Sequence, residues 1–185
     1  MNEVDLLYMF ETHAGRQIDK WSHYLDIYEK HFARFRGKSP RVLELGVDHG
    51  GSLQLWKRYF GPGAEIIGVD INPVSVFEEP GINVLVYDQC NPEFAKLGPW
   101  DIIIDDGSHN PEHQIKSFEN LWPRCQGVYL IEDCHGVQPA VRCPNGLKFS
   151  YPWVYVYERP KRMIRGTPSR ELREDEADAR KLFGP

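Results

Sequence analysis

The sequence predicts an α/β protein of three layers, in which helices cover both faces of a mostly parallel β-sheet. Short apolar runs alternate along the chain with amphipathic stretches of helical period. The runs are apolar at almost every position, as expected of strands that are buried on both faces. At 185 residues, the chain is long enough for one domain with a sizeable core.

Three stretches predict helices. Apolar residues spaced three and four apart from Ile18 to Phe35 predict the first helix, which ends near Gly37. A second apolar stripe of the same period runs through LQLWKRYF. The third helix begins after Asn110, a good N-cap, and Pro111 suits its first position.

Five stretches predict the parallel strands, in the order RVLELGV, AEIIGVDINP, INVLVYDQC, DIIIDD and GVYLIED. After Pro152 the pattern changes, and WVYVYER and KRMIRG are predicted to pair as an antiparallel hairpin at one edge of the sheet. We expect one domain over residues 1–185. It comprises an N-terminal helical segment 1–37, a core sheet region 38–166 and a charged tail 167–185.

Composition excludes several classes of protein. The net charge of -5 argues against a nucleic-acid binder that works by neutralising phosphates. No run of about 18 apolar residues predicts a membrane span, and the N-terminus lacks the basic region of a signal peptide. The cysteines form no C-x-x-C pair, which predicts reduced thiols in a cytoplasmic protein. They are Cys90, Cys125, Cys134 and Cys143.

Acidic side chains are predicted to gather at one edge of the sheet, because parallel strands end together and ligands of open α/β sheets bind there. Nearly every predicted strand ends in an acid. From the first strand to the fifth, these acids are Glu44 with Asp48, then Asp70, Asp88, Asp105 with Asp106, and Glu132 with Asp133. This pattern is the strongest functional signal in the sequence.

The first turn, ELGVDHGGS, favours a cationic nucleoside over a dinucleotide. Its glycine spacing differs from G-x-G-x-x-G, and a diphosphate would face Glu44 and Asp48. Asp70, at the end of the next strand, is placed to accept hydrogen bonds from ribose hydroxyls. Together these residues suggest S-adenosylmethionine. The alternative is a glycine-rich turn that only connects a strand to a helix.

Asp106, Glu132 and Asp133 predict a metal site. Three close carboxylates repel one another, and a hard divalent cation such as Mg²⁺ removes that repulsion. A metal there would also lower the pKa of a substrate hydroxyl, and His109 would take the proton. His49 and His135 are rivals for that role.

Two other interpretations of this region stay open. Gly107, Ser108 and Asn110 are good turn and cap residues without any function, although a turn does not explain Asp106 beside two more acids. H-N-P-E-H, from His109 to His113, also matches the H-x-x-E-H pattern of some zinc peptidases. Since Pro111 favours a helix that begins after His109, we expect the two imidazoles not to project together.

Several stretches in order resemble a known family: ELGVDHGGSL, GVDINP, VYDQ, IIIDDGSH, HQIKSFENLWP and GVYLIEDCHG, preceded by DKWSHYLDIYEKHF. They are similar to class I S-adenosylmethionine-dependent methyltransferases, and most of all to the metal-dependent sugar O-methyltransferases of the macrocin and mycinamicin type. The resemblance covers roughly residues 15–136. PRCQGVY departs from the P-G-G-V-Y of that family. We expect no counterpart within these 185 residues of the separate N-terminal domain of its larger members.

The resemblance implies a Rossmann-like methyltransferase fold with a mostly parallel seven-stranded sheet. It implies that Asp106, Glu132 and Asp133 hold Mg²⁺ and that His109 is the base. The positions expected to bind the cofactor are Glu44, Gly46, His49, Ser52, Asp70 and Asp105, with Asp88 and Gln89 near the adenine.

The leading hypothesis is therefore an Mg²⁺-dependent O-methyltransferase that acts on a hydroxyl of a small molecule, such as a sugar of a glycosylated natural product. We expect a cytoplasmic homo-oligomer that binds neither nucleic acid nor membrane. Two alternatives are a nicotinamide-dependent oxidoreductase on the same kind of sheet and a non-catalytic, degenerate cofactor-binding domain. The missing G-x-G-x-x-G argues against the oxidoreductase.

Overall fold

The computed structural model describes residues 5–134, 143 and 146–159. Within these residues, the α-helices are α1 (Leu6–Glu11), α2 (Ser22–Phe32), α3 (Gly51–Phe60) and α4 (Pro111–Leu121). The strands are β1 (Arg41–Leu45), β2 (Glu65–Asp70), β3 (Glu78–Glu79), β4 (Ile82–Val86), β5 (Trp100–Asp105), β6 (Cys125–Ile131), β7 (Leu147–Tyr151) and β8 (Val154–Glu158). None of the described helices has the length and apolar character needed to cross a bilayer.

All the described strands form one sheet in the order β3-β4-β2-β1-β5-β6-β8-β7. The five central strands from β4 to β6 are parallel, and β3, β8 and β7 are antiparallel. The predicted α/β fold with a mostly parallel sheet is confirmed. The sheet has eight strands in the described residues rather than seven, because the two-residue β3 extends its outer edge.

Two apolar layers cover the sheet, and the strand residues alternate between them. On β5, Ile102 and Ile104 pack in the layer that contains α1, α2 and α3. Ile103 lies in the opposite layer, with Phe118 and Leu121 of α4. Since every one of these side chains is buried, the central strands have the apolar runs that both faces of a covered sheet require.

The start of α4 is as predicted. The Asn110 side chain accepts a hydrogen bond of 2.9 Å from the backbone N–H of Glu112, and Pro111 is the first helical residue. This cap satisfies one of the backbone donors that a helix leaves unpaired at its N-terminus. It also fixes the point at which the polar turn after β5 ends.

The prediction for the first long helix is wrong at its N-terminus. Helix α2 begins at Ser22, and Trp21 is its N-cap with extended backbone. Residues 17–20 are not helical and run across the carboxyl edge of the sheet. The apolar spacing includes Ile18 because this side chain packs against the same core as the helix.

The predicted partner of the C-terminal strand is also wrong. WVYVYER does contain a strand, β8, but β8 pairs with β7 on one side and β6 on the other. Both of its edges are therefore occupied, and the chain turns at Pro152 and Trp153, where Trp153 has a φ of 60°. KRMIRG and the tail 167–185 lie outside the described residues.

Candidate active site

The sheet order brings the predicted acids to one edge. Strands β4, β2, β1, β5 and β6 are neighbours and parallel, so that their carboxyl ends lie side by side. The pairing continues past the strand ends, since the N–H of Asp106 donates to Leu45 O at 3.0 Å and the N–H of Glu132 donates to Asp105 O at 2.9 Å. Asp106 is thus held beside the end of β1, and Glu132 beside the end of β5.

Three adjoining cavities open at this edge. The central cavity, of about 430 Å³, lies between the turn after β1 and residues 17–20. The aromatic cavity, of about 560 Å³, is lined by Phe10, Trp21 and Tyr24. The outer cavity, of about 230 Å³, is lined by residues 87–89 after β4.

The cavities are continuous through shared walls. Asp106 and Asp133 line both the central and the aromatic cavity. Gly46, Asp70 and Gly107 line both the central and the outer cavity. A long ligand that occupies the outer and central cavities would therefore end next to the two carboxylates that face the aromatic cavity.

The turn after β1 is shaped by glycine and by Asp70. Gly46 has a φ of 83°, and a β-carbon there would collide with the carbonyl oxygen of Asp106. Asp70 Oδ2 accepts hydrogen bonds from the N–H groups of Val47 at 2.8 Å and Asp48 at 3.2 Å. Asp70 thus holds the turn in place while it lines the central cavity. A carboxylate oxygen has lone pairs for a further donor, so this role is compatible with binding a hydroxyl.

Lys20 is a charged residue of the site that the sequence did not single out. Its side chain is only 3% exposed, and its ammonium hydrogen-bonds to Asp106 Oδ2 and, at 2.9 Å, to Glu132 Oε2. Glu44 Oε1 lies 3.5 Å away. Burial alone lowers the pKa of Lys20, but the charges of Asp106, Glu132 and Glu44 outweigh it and raise the pKa well above its usual value. The three acids therefore favour the protonated, cationic form of Lys20.

Glu132 and Asp133, adjacent in sequence, face different partners. Glu132 is buried, with Oε1 accepting a 2.6 Å hydrogen bond from the Tyr28 hydroxyl and Oε2 accepting from Lys20. Its pKa is raised by burial and by the charge of Asp106. Asp133 turns outward with a φ of 50°, accepts a 2.7 Å hydrogen bond from the Tyr24 hydroxyl and lies 3.9 Å from His109 Nε2.

Asp106, His109 and Asp133 form the group in the described residues that is arranged to hold a metal ion. Each offers one ligand atom, and these atoms lie within 4.8 Å of one another. His109 has a φ of 55°, an uncommon conformation that directs its ring toward the two acids. Two of the three predicted metal ligands therefore converge, and the carboxylate oxygens fit a hard cation. The third, Glu132, is turned toward Lys20 and Tyr28.

The predicted cofactor residues divide into cavity walls and buried support. Gly46, His49, Ser52 and Asp70 line the central cavity, and Asp88 and Gln89 line the outer cavity. Glu44 and Asp105 are fully buried and line none of the three cavities. Burial raises the pKa of each carboxyl group to about 7. The charge of Lys20 lowers the pKa of Glu44 in part, and hydrogen bonds from Tyr129 and Gly107 lower that of Asp105 in part.

The histidine pair of the zinc pattern does not converge in the structure. His109 lies before α4 and faces Asp133, whereas His113 Nδ1 lies 2.9 Å from the Ser108 hydroxyl. His49, a rival base, is 58% exposed and lies 2.7 Å from Asp48. His135, the other rival, lies outside the described residues.

Known proteins of similar sequence include O-methyltransferases named for glycosylated compounds and ribosomal RNA methyltransferases. No protein-family model matches the chain. The chain is 42% identical over 131 residues to an 8-demethyl-8-alpha-L-rhamnosyl tetracenomycin-C 2'-O-methyltransferase of Streptomyces olivaceus, which covers 62% of this chain and 34% of that protein. It is 41% identical over 120 residues to a mycinamicin VI 2''-O-methyltransferase of Micromonospora griseorubida, with 57% and 30% covered. The chain spans about a third of the length of these relatives.

A solved structure of similar fold is that of the MycE methyltransferase from the mycinamycin biosynthetic pathway, in complex with Mg and SAH. It superposes with a TM-score of 0.73 at 27% identity, covering 91% of this chain and 58% of that one. The chain has a methyltransferase fold. The resemblance to the macrocin and mycinamicin enzymes, predicted from the sequence, is confirmed by these matches.

Within this methyltransferase fold, residues 16–20 form a cover over the turn after β1. The carbonyl of Gln17 accepts a 3.1 Å hydrogen bond from the N–H of Gly51, at the start of α3. The N–H of Arg16 donates to Gln54 Oε1 at 2.7 Å, and Lys20 binds the acids after β5 and β6. The cover is therefore tied to the edge of the sheet at both of its ends.

Proposed function

We propose that this chain is an S-adenosylmethionine-dependent, Mg²⁺-dependent O-methyltransferase that acts on a hydroxyl of a small molecule, namely a sugar of a glycosylated natural product. The observation that carries the proposal is the position of Asp106 and Asp133. Both line the central cavity and the aromatic cavity, beside His109. Methyl transfer needs the donor and the acceptor to be held next to each other, and these two residues lie where the cavities for the two substrates meet.

The cofactor would occupy the outer and central cavities. Asp70 would accept hydrogen bonds from the ribose hydroxyls, and Asp88 and Gln89 would lie beside the adenine in the outer cavity. The methionine part would follow the turn at Gly46, with Glu44 beneath it. The negative charge of this edge favours a sulfonium over a neutral or anionic ligand.

Mg²⁺ would be held by Asp106, Glu132 and Asp133, and when bound it would lower the pKa of the acceptor hydroxyl. His109 takes the hydroxyl proton on Nε2, and Asp133, 3.9 Å away, stabilises the imidazolium. The acceptor oxygen bonds to the methyl carbon as the carbon–sulfur bond breaks, and the electron pair stays on sulfur. Since the His109 side chain is 43% exposed, it can pass the proton to solvent.

The acceptor would lie in the aromatic cavity. Phe10, Trp21 and Tyr24 line it together with Asp106 and Asp133. A sugar ring has an apolar face that packs on an aromatic ring and hydroxyls that bind carboxylates. The relatives from Streptomyces olivaceus and Micromonospora griseorubida are named for O-methylation of glycosylated compounds, which supports this choice of acceptor.

A thermal-shift screen tests the cofactor assignment against the oxidoreductase alternative. We expect S-adenosylhomocysteine to raise the melting temperature by several degrees, because a ligand at a hundredfold excess over its Kd stabilises by about 2.7 kcal/mol. NAD and NADP should leave the melting temperature unchanged. A shift with NAD or NADP, and none with S-adenosylhomocysteine, would assign the chain to the oxidoreductases.

Removal of divalent cations should abolish methyl transfer. With a rhamnosylated tetracenomycin as acceptor, we expect EDTA to lower the rate by about a hundredfold or more, because the carboxylate site then loses its metal. Added Mg²⁺ should restore the rate. Transfer of labelled methyl groups is the measurement, and full activity in EDTA would disprove the metal dependence.

The proposal extends to the state of the protein. A homo-oligomer would close the aromatic cavity, where Trp21 is 53% exposed. Four free thiols support a cytoplasmic location, and the net charge of -5 supports a protein that binds neither nucleic acid nor an anionic membrane. Residues 1–185 would act as one domain with the divisions predicted from the sequence. Light scattering after size exclusion tests the oligomeric state.

A further inference from the structure

The ammonium of Lys20 lies inside the carboxylate cluster of the site. Its side chain is 3% exposed, and the two acids that it contacts most closely, Asp106 and Glu132, are 22% and 1% exposed. The charge of Lys20 is thus buried with theirs. A buried ion pair of this kind costs desolvation energy that its own attraction only partly offsets. If Lys20 served only to attach residues 16–20 to the sheet edge, its charge would not need to be buried.

Lys20 uses the same oxygen atoms that a divalent cation would need. One oxygen of Asp106 and one oxygen of Glu132 bind the ammonium, and the other oxygen of Glu132 binds the Tyr28 hydroxyl. Glu132 does not belong to the converging group of Asp106, His109 and Asp133 found in the described residues. A divalent cation that also bound Glu132 would lie close to the Lys20 ammonium, and repulsion between the two charges would weaken the contact between Lys20 and Glu132.

We propose that Lys20 is an internal counter-ion that competes with the divalent cation for Asp106 and Glu132. It holds the two acids together in the metal-free protein and gives up Glu132 when the cation binds. The inference rests on the proposed function only in that it assumes a divalent cation at this site.

The exchange would also move a wall of the active site. Residues 18–20 line both the central and the aromatic cavity. Because Gln17 is fixed to the N-terminus of α3 by the 3.1 Å hydrogen bond from Gly51, displacement of the Lys20 side chain would be absorbed between Ile18 and Trp21. Cation binding would thereby alter the boundary between the donor and acceptor cavities.

The test is the affinity for Mn²⁺, measured by electron paramagnetic resonance and calorimetry on the full chain without acceptor. Lys20→Met should bind Mn²⁺ at least about tenfold more tightly than the wild type, since one charge within 4–6 Å changes the proton affinity of a carboxylate by about ten- to a thousandfold. Lys20→Gln, which keeps polar contacts but not the charge, should show the same direction. Lys20→Arg should stay close to the wild type.

Tyr28→Phe is the matched control, because it frees an oxygen of Glu132 without removing a positive charge. Its Mn²⁺ affinity should change much less than that of Lys20→Met. Equal tightening in both variants would overturn the inference, as would unchanged or weaker binding in Lys20→Met and Lys20→Gln. Binding of S-adenosylhomocysteine by each variant establishes that it is folded.

The wild-type protein provides a second readout that needs no variant to fold. The ¹⁵Nζ signal of Lys20, protected from solvent by burial, should shift or disappear on saturation with Mg²⁺. An unchanged signal at saturation would overturn the inference. If the wild type and all the variants fail to bind Mn²⁺, both the inference and the metal part of the proposed function are wrong. If the wild type binds Mn²⁺ but the variants bind it no more tightly, only the role of Lys20 is disproved.

Discussion

Asp106→Asn is expected to lower the rate of methyl transfer by about a thousandfold or more, because the metal contribution to such a reaction amounts to several kcal/mol. Asp106 is the acid that lines both the donor and the acceptor cavity and belongs to the converging group with His109 and Asp133. Asparagine keeps the shape of the side chain but removes the negative charge. The rate should be measured at saturating cofactor and Mg²⁺.

The same variant should bind S-adenosylhomocysteine almost as well as the wild type. The proposed ribose and adenine contacts are made by Asp70, Asp88 and Gln89 and not by the carboxylate of Asp106. Glu119→Gln, an exposed position on the distal part of α4, is the matched control for loss of one acid and should retain full activity. If Asp106→Asn retains more than about a tenth of the rate, Asp106 is not part of the metal site.

Much of the site could be predicted from the sequence because parallel strands fix where their ends lie. The acids after β1, β2, β5 and β6 share one edge in the structure, as expected from the apolar runs that precede them. Asn110 and Pro111 similarly fixed the start of α4. These features depend on local pattern and on a general rule of sheet geometry, and both can be read from a single sequence.

Lys20 could not be predicted in this way. It lies more than 80 positions from Asp106 and more than 110 from Glu132, and the helical spacing that includes Ile18 suggested that residues 18–21 were the first turn of α2. Asp19 and Lys20 occupy polar positions of that spacing, so the pattern gave no sign that the Lys20 side chain is buried. The partner of β8 was missed for a related reason, since β7 is half exposed and lacks a strong apolar pattern.

Gly46→Ala should lower the free energy of unfolding by about 3 kcal/mol and abolish cofactor binding in the micromolar range. A φ of 83° costs a non-glycine residue about 1–2 kcal/mol. A β-carbon would also meet the carbonyl oxygen of Asp106, and overpacking of this kind costs about 1–3 kcal/mol. Neither of the two backbones can yield easily, because the N–H of Asp106 is bonded to Leu45 O at 3.0 Å and that of Gly46 to Val69 O at 2.8 Å.

Gly37→Ala separates the two causes. Gly37 has a φ of 67°, but a β-carbon there would have no neighbour within 4 Å among the described atoms. The free energy of unfolding of this variant should therefore fall only by the cost of the positive φ, about 1 kcal/mol. The variant should bind S-adenosylhomocysteine like the wild type. Denaturant unfolding and calorimetry measure both quantities. Equal losses of stability in the two variants would show that the contact between Gly46 and Asp106 is not a constraint. The turn after β1 would then be free to move relative to the acids after β5, and the arrangement proposed for donor and metal would lose its structural basis.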